Sequence, residues 1–84
     1  MDYLTLKNGN IDKGLKYYEL AIIIAKSKDM KDRIRQRMNL EIGKYYYSIG
    51  NIKDSVKHLT KAIKETNGYR YAVKEGNTIL KAIQ

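Results

Sequence analysis

The chain of 84 residues is long enough for one small domain, and a core of that size is only marginally stable without disulfides, metals or association. It contains no cysteine and one histidine, which excludes disulfides and thiol catalysis and argues against an all-protein zinc site. The net charge of +8 favours an acidic protein surface, a nucleic acid or an anionic lipid as a partner. We expect no cofactor.

The sequence carries no signal for secretion or membrane insertion. The first residues lack the basic and apolar regions of a secretory signal. The longest apolar run, Leu20 to Ala25, is far shorter than the roughly 20 residues that cross a bilayer. We therefore expect a cytoplasmic protein that does not contact a membrane.

Helix-forming residues dominate and proline is absent, which predicts an all-α fold of four to five antiparallel helices. Residues 1–7 are predicted to be the end of a helix that stops at Asn8-Gly9-Asn10.

A second helix is predicted from Ile11 to Lys28. Its main apolar face holds Leu15, Tyr18, Ile22 and Ala25. Further apolar residues widen that face: Leu20, Ile23 and Ile24. A helix this apolar is expected to be contacted on two sides, in a helical stack or at a dimer interface.

Three more helices are predicted after this one. The third runs from Met30 to Ile49, with Asp29 as its N-cap. Its apolar face holds Ile34, Met38, Ile42, Tyr45, Tyr46 and Ile49. The fourth runs from Ile52 to Thr66, with Asn51 as its N-cap. Its core face holds Ile52, Val56, Leu59, Ala62 and Ile63. The last runs from Tyr69 to Ile83 and packs through Ala72, Val73, Gly76, Leu80 and Ile83.

The break at Asn8-Gly9-Asn10 recurs 41 residues later, at Ile49-Gly50-Asn51. Small, large and small residues then follow at the same steps in both copies. The aligned pairs are Gly14 with Ser55, Tyr18 with Leu59, and Ala21 with Ala62. This agreement indicates an internal helical repeat.

The repeat resembles the tetratricopeptide repeat. Ile42-Gly43-x-x-Tyr46 stands for the family's Leu-Gly-x-x-Tyr, and Gly50 stands for its turn glycine. The family's later Ala, Phe and Ala are represented by Ser55, Leu59 and Ala62. The chain departs from the family at its tryptophan and final proline positions, which hold Asn39 and Asn67, and its period is longer. Long repeats of this kind also resemble the C-terminal arrays of the Rap, Rgg and PlcR-like peptide-sensing regulators of Gram-positive bacteria.

The resemblance implies one TPR-like domain over residues 1–84, of about one and a half repeats plus a C-terminal helix. This domain would be part of a longer array or be completed by a second copy of itself. It implies a non-enzymatic regulatory module that binds a protein or an acidic peptide in a concave groove. The groove positions implied are Arg37, Leu40, Lys44, Tyr47 and Ser48.

Two other functions stay open. The first is a small regulatory protein that binds nucleic acid through its basic faces. The residues of those faces are Lys26, Lys28, Lys31, Arg33, Arg35, Lys53, Lys57 and Lys61. The second is a structural module whose second predicted helix pairs with its own copy. No catalytic residue is predicted: His58 is expected on the surface, Tyr45 and Tyr46 in the core, and Tyr47 on an exposed face.

Overall fold

The computed structural model describes residues 11–83, which form four α-helices. They are α1 (Ile11–Ile24), α2 (Lys28–Ser48), α3 (Ile52–Ile63) and α4 (Arg70–Ile83). Helices that are consecutive in the chain pack antiparallel, and α4 also lies alongside α2. The all-α prediction is confirmed, whereas the helix predicted over residues 1–7 lies outside the described residues.

The helix boundaries around the first connection differ from the predicted ones. The side-chain oxygen of Ser27 accepts a hydrogen bond from the Met30 amide at 3.1 Å, so Ser27 is the N-cap of α2. Asp29 was predicted to be this cap, and the prediction is wrong. Asp29 instead lies in the first turn, where its negative charge favours the helix N-terminus. Since Lys28 is already the first residue of α2, it cannot belong to α1, which ends at Ile24 rather than at the predicted Lys28.

The second connection has the predicted turn chemistry. Gly50 has a φ of +81°, a left-handed conformation that glycine adopts without steric cost. Asn51 is the N-cap of α3, as predicted: its Oδ1 accepts from the Asp54 amide at 3.4 Å, and its Nδ2 donates to Asp54 Oδ2 at 2.8 Å. The turn therefore folds α3 back onto α2.

Small residues let α2 and α3 approach closely. The hydroxyl of the buried Ser55 donates to the Gly43 carbonyl oxygen at 2.8 Å. A Cβ on Gly43 would lie 2.6 Å from Leu59 Cγ, so glycine is needed at this contact. The buried core beside it consists of Leu40, Leu59, Ala62 and Ala72, against which Ile79, Leu80 and Ile83 of α4 pack.

Two residues predicted for the core of α3 are exposed. Ile52 is 40% exposed and Val56 is 36% exposed, because the buried face of α3 runs through Ser55, Leu59 and Ala62 instead. Ile49, predicted on the apolar face of α2, is 57% exposed at the turn between these helices. The sequence pattern was apolar at these positions, but the small residues decide which side of α3 faces α2.

The loop between α3 and α4 is fastened to α2 by the buried side chain of Gln36. Its Nε2 donates to the carbonyl oxygens of Ala62 at 3.1 Å and Tyr69 at 3.3 Å. Its Oε1 accepts from the Tyr69 amide at 2.6 Å. The amide group lies directly against Gly68, where any Cβ would overlap it. The loop folds back at this point, which is why α3 ends at Ile63 rather than at the predicted Thr66 and α4 begins at Arg70.

Polar contacts of Asn67 extend this connection. Its Nδ2 donates to Asp29 Oδ1 at 2.8 Å and to Asp32 Oδ2 at 3.0 Å. Asp32 also accepts from Lys28 Nζ at 2.7 Å. The hydrogen bonds from Lys28 and Asn67 hold the pKa of Asp32 below its usual range. Asp32 therefore stabilises the fold above its ordinary pKa, and this contribution is lost as pH falls through its lowered folded-state value.

The two helical glycines near the core allow a matched test of this packing. A new Cβ on Gly43 would meet Leu59 Cγ at 2.6 Å and the Leu59 backbone nitrogen at 3.2 Å, whereas one on Gly76 would meet a methyl of the half-buried Ile63 at 2.7 Å. Alanine gains about 1 kcal/mol of helix propensity over glycine. We expect Gly43→Ala to lower the free energy of unfolding by about 1 kcal/mol despite that gain, because overpacking costs more.

Gly76→Ala is the control, and we expect it to destabilise the fold less than Gly43→Ala, since its new Cβ would approach one methyl group closely, whereas that of Gly43 would approach two side-chain carbons and a backbone nitrogen of Leu59. Urea unfolding of both variants measures the difference. Equal stability of the two variants would contradict the close approach of α2 and α3.

Candidate binding surface on α2 and α4

A shallow cleft of about 120 Å³ opens on the surface where the N-terminal half of α2 meets the start of α4. It is lined by Met30, Arg33, Ile34, Arg37 and Tyr69. The apolar part of the lining comes from a half-buried isoleucine and a methionine that is 47% exposed. We call these five residues the α2/α4 cleft.

Arg33 is held in position above one wall of the cleft. Its Nε donates to the Asn67 carbonyl oxygen at 3.2 Å, and its guanidinium lies 5.7 Å from the centre of the Tyr69 ring. Tyr69 in turn lies 5.4 Å from the ring of Tyr71, and these two rings are 42% and 53% exposed. The cleft is therefore bordered by an arginine whose orientation is fixed and by accessible aromatic surface.

An ion-pair cluster between α2 and α4 lies farther along both helices. Lys44 Nζ lies 2.9 Å from Glu75 Oε2 on α4 and 3.6 Å from Glu41 Oε2 on α2. Burial raises the pKa of Glu41, and the positive charge of Lys44 opposes that rise. The cluster joins α2 to α4, and Lys44 serves this contact in the described structure.

The five groove residues that the sequence implied are not equally accessible. Arg37, Tyr47 and Ser48 are exposed, and Arg37 lines the cleft. Leu40 is 1% exposed, so its assignment to a ligand-contacting surface is wrong: it fills the core between α2, α3 and α4. The Ser48 hydroxyl donates to the Tyr45 carbonyl oxygen at 2.6 Å, which turns it toward its own helix.

The basic residues suggested for nucleic-acid binding separate into two groups. In the group around the start of α2, four cations contact acceptors of the protein itself: Lys28 and Arg35 with Asp32, Lys31 with the Ile22 carbonyl, and Arg33 with the Asn67 carbonyl. Lys26 is exposed in the connection between α1 and α2. The second group, Lys53, Lys57 and Lys61, forms an exposed stripe along α3. Most cations of the first group therefore already bind acceptor groups within the folded protein.

His58 is half-buried rather than at the open surface. Its Nδ1 lies 3.0 Å from Asn39 Oδ1, and since an amide oxygen only accepts, this contact requires a proton on Nδ1. Its ring stacks on Tyr46 with 5.9 Å between the ring centres. Burial, reinforced by the charges of Lys61 and Lys57, lowers its pKa. These contacts give His58 a packing role between α2 and α3.

Of the tyrosine run, Tyr47 is 41% exposed, whereas Tyr45 and Tyr46 are half-buried. Their rings contact each other with 5.6 Å between the centres. Tyr45 and Tyr46 therefore pack against the protein while Tyr47 faces outward, as expected because consecutive residues of a helix point in different directions.

Within residues 11–83, no helix is both long and apolar enough to cross a membrane. In the same range, no three histidine or carboxylate side chains are grouped so that they could hold a metal ion. No family model, curated protein or solved structure matches the chain. The binding surface is therefore assigned on geometry alone.

The grouping of these five residues in one cleft was not predicted from the sequence. Arg37 was singled out, but Met30 was assigned to the start of the helix and Tyr69 to the start of the next one. Tyr69 reaches Arg33 only because Gln36 and Asn67 hold the loop against α2. A buried glutamine beside a glycine 32 residues away has no local sequence signature.

His58 predicts a pH dependence of stability. Its folded-state pKa lies below the ordinary value of 6.5, so the unfolded chain takes up the proton first as the solution is acidified. The contribution of neutral His58 is therefore complete above about pH 7 and is lost as pH falls through the lowered pKa. We expect His58→Gln to show a smaller loss of unfolding free energy between about pH 7 and pH 5 than the unsubstituted chain.

Urea unfolding across this pH range measures the difference between the two proteins. The raised pKa of Glu41 gives the opposite trend at the acidic end of the range, and it acts equally in both chains. Identical pH profiles for the two proteins would show that His58 does not titrate differently in the folded state.

Proposed function

We propose that the chain is a non-enzymatic, TPR-like module of the cytoplasm that binds an acidic segment of a protein or peptide across the α2/α4 cleft. The observation that carries the proposal is the cleft itself: two exposed arginines and a tyrosine border an apolar floor. Such a site suits a ligand with a carboxylate next to a small aliphatic side chain.

The packing of the repeat residues supports the TPR-like part of the proposal. Gly43 contacts Leu59, and Ser55 and Ala62 are fully buried, so the small residues of the repeat lie where two helices meet. In addition, α4 packs against both helices of the α2–α3 hairpin, as the next helix of a repeat stack would.

The electrostatics of the face support an acidic ligand. The arginine fork can hold a carboxylate through two parallel hydrogen bonds, which a lysine cannot. Farther along the face, Lys44 is already paired with Glu41 and Glu75. We therefore place ligand recognition at the arginine end of the face, with Tyr47 as a further contact.

Nucleic-acid binding is the second candidate, and the exposed lysine stripe on α3 favours it. The stripe residues Lys53, Lys57 and Lys61 lie on a different helix from the arginines of the cleft. This separation lets one pair of variants distinguish the two functions.

The first test of the proposal is a selection from displayed peptides that combine Asp and Glu with Leu, Ile and Met. A matched library with Lys and Arg in place of the acidic residues serves as the control. A selected peptide is then labelled, and its affinity is measured by fluorescence anisotropy. We expect Arg37→Glu to weaken binding at least tenfold, or about 1.4 kcal/mol, because an attractive charge becomes a repulsive one.

Lys57→Glu makes the same change of charge on α3 and should leave peptide affinity within about twofold. A 20-nucleotide single strand of DNA is tested in the same assay. Tight DNA binding that falls steeply with salt and is weakened by Lys57→Glu would support the second candidate instead. Failure of the acidic library to enrich over the basic one would contradict the peptide-binding proposal.

A further inference from the structure

The outer face of α1 exposes four large apolar side chains within two turns. Ile23 is 72% exposed, Ile24 68%, Leu20 59% and Tyr17 53%. We call these four residues the α1 face. An apolar patch this dense on a small protein indicates an interaction surface.

The spacing of these residues suits helix-to-helix packing. Tyr17, Leu20 and Ile24 follow at steps of three and four, which places them in one stripe with Ile23 beside it. The opposite side of the helix, through Gly14 and Tyr18, is the buried side. The helix is thus apolar on two sides, and within residues 11–83 only the side that packs on α2 is covered by another helix.

Charge indicates what can cover the α1 face. Residues 11–25 contain two acidic and two basic side chains and are neutral, so the net charge of +8 comes from the rest of the chain. Two copies with that charge repel each other through their other surfaces, and α1 is where they can approach with the least repulsion. An acidic partner would instead be drawn to the basic faces on α2 and α3.

We propose that the α1 face is the interface of a reversible homodimer, in which the α1 helices of two copies pack antiparallel about a two-fold axis. The same four side chains from each copy form a self-complementary contact, as such an axis requires. The contact is small, so we expect a dissociation constant in the micromolar range. The α2/α4 cleft includes no residue of the α1 face.

The test is the mass of the full chain in solution, measured by sedimentation or light scattering from about 5 µM to about 500 µM. The mass should rise from the monomer value of 9.8 kDa toward twice that value. The double variant Leu20→Glu with Ile24→Glu should raise the dissociation constant at least 100-fold, because four carboxylates would then meet in an apolar contact.

The matched control is Ile52→Glu with Val56→Glu, which makes the same charge change at two exposed aliphatic residues of α3. It should dimerise like the unsubstituted chain, and circular dichroism establishes that both variants are folded. A monomer at every concentration, equal loss in both double variants, or a mass that rises beyond two copies would overturn the proposal.

Because the chain has no cysteine, a single introduced thiol gives an independent measurement. Under mild oxidation, Leu20→Cys should form disulfide-linked dimers much faster than Val56→Cys. Equal rates of cross-linking would likewise contradict an interface at α1.

Discussion

The hydrogen bonds of Gln36 are the constraint on which the arrangement of the last helix depends. This side chain is 1% exposed, and it satisfies the Tyr69 amide together with the carbonyl oxygens of Ala62 and Tyr69. A buried amide left without these partners would cost about 1–3 kcal/mol per unsatisfied group, a large share of the stability of a domain this small. The glycine at position 68 lets the loop approach closely enough for these bonds to form.

The same contacts connect the fold to the proposed binding surface. By holding the loop against α2, they bring Tyr69 under the Arg33 guanidinium and form the cleft between α2 and α4. Asn67 adds a second connection, through Asp29 and Asp32. The α2–α3 hairpin alone would present the arginines without Tyr69, so the proposed recognition also requires the connection to α4.

Sequence patterns were sufficient for the helices and for the close contact of α2 with α3, because caps, turn glycines and small residues act locally. The Gly50 turn and the Asn51 cap are confirmed. The patterns failed where a long-range contact decides the outcome. Leu40 was assigned to a groove but is buried, while Ile52 and Val56 were assigned to the core but are exposed. Each error concerns the rotation of a helix about its own axis. The hydrogen bond from the Ser55 hydroxyl to the Gly43 carbonyl oxygen sets that rotation, and apolar spacing alone does not predict it.

Amide hydrogen exchange at Tyr69, followed by NMR, measures how firmly Gln36 holds the loop against α2. Tyr69 precedes α4, so its amide would exchange quickly if the loop were loosely held. We expect protection comparable to that of the Leu59 and Ala62 amides in the core, because the Tyr69 amide donates its proton to Oε1 of the buried Gln36 side chain. Exchange at the rate of an exposed loop would show that Gln36 does not hold α4 and the cleft in place.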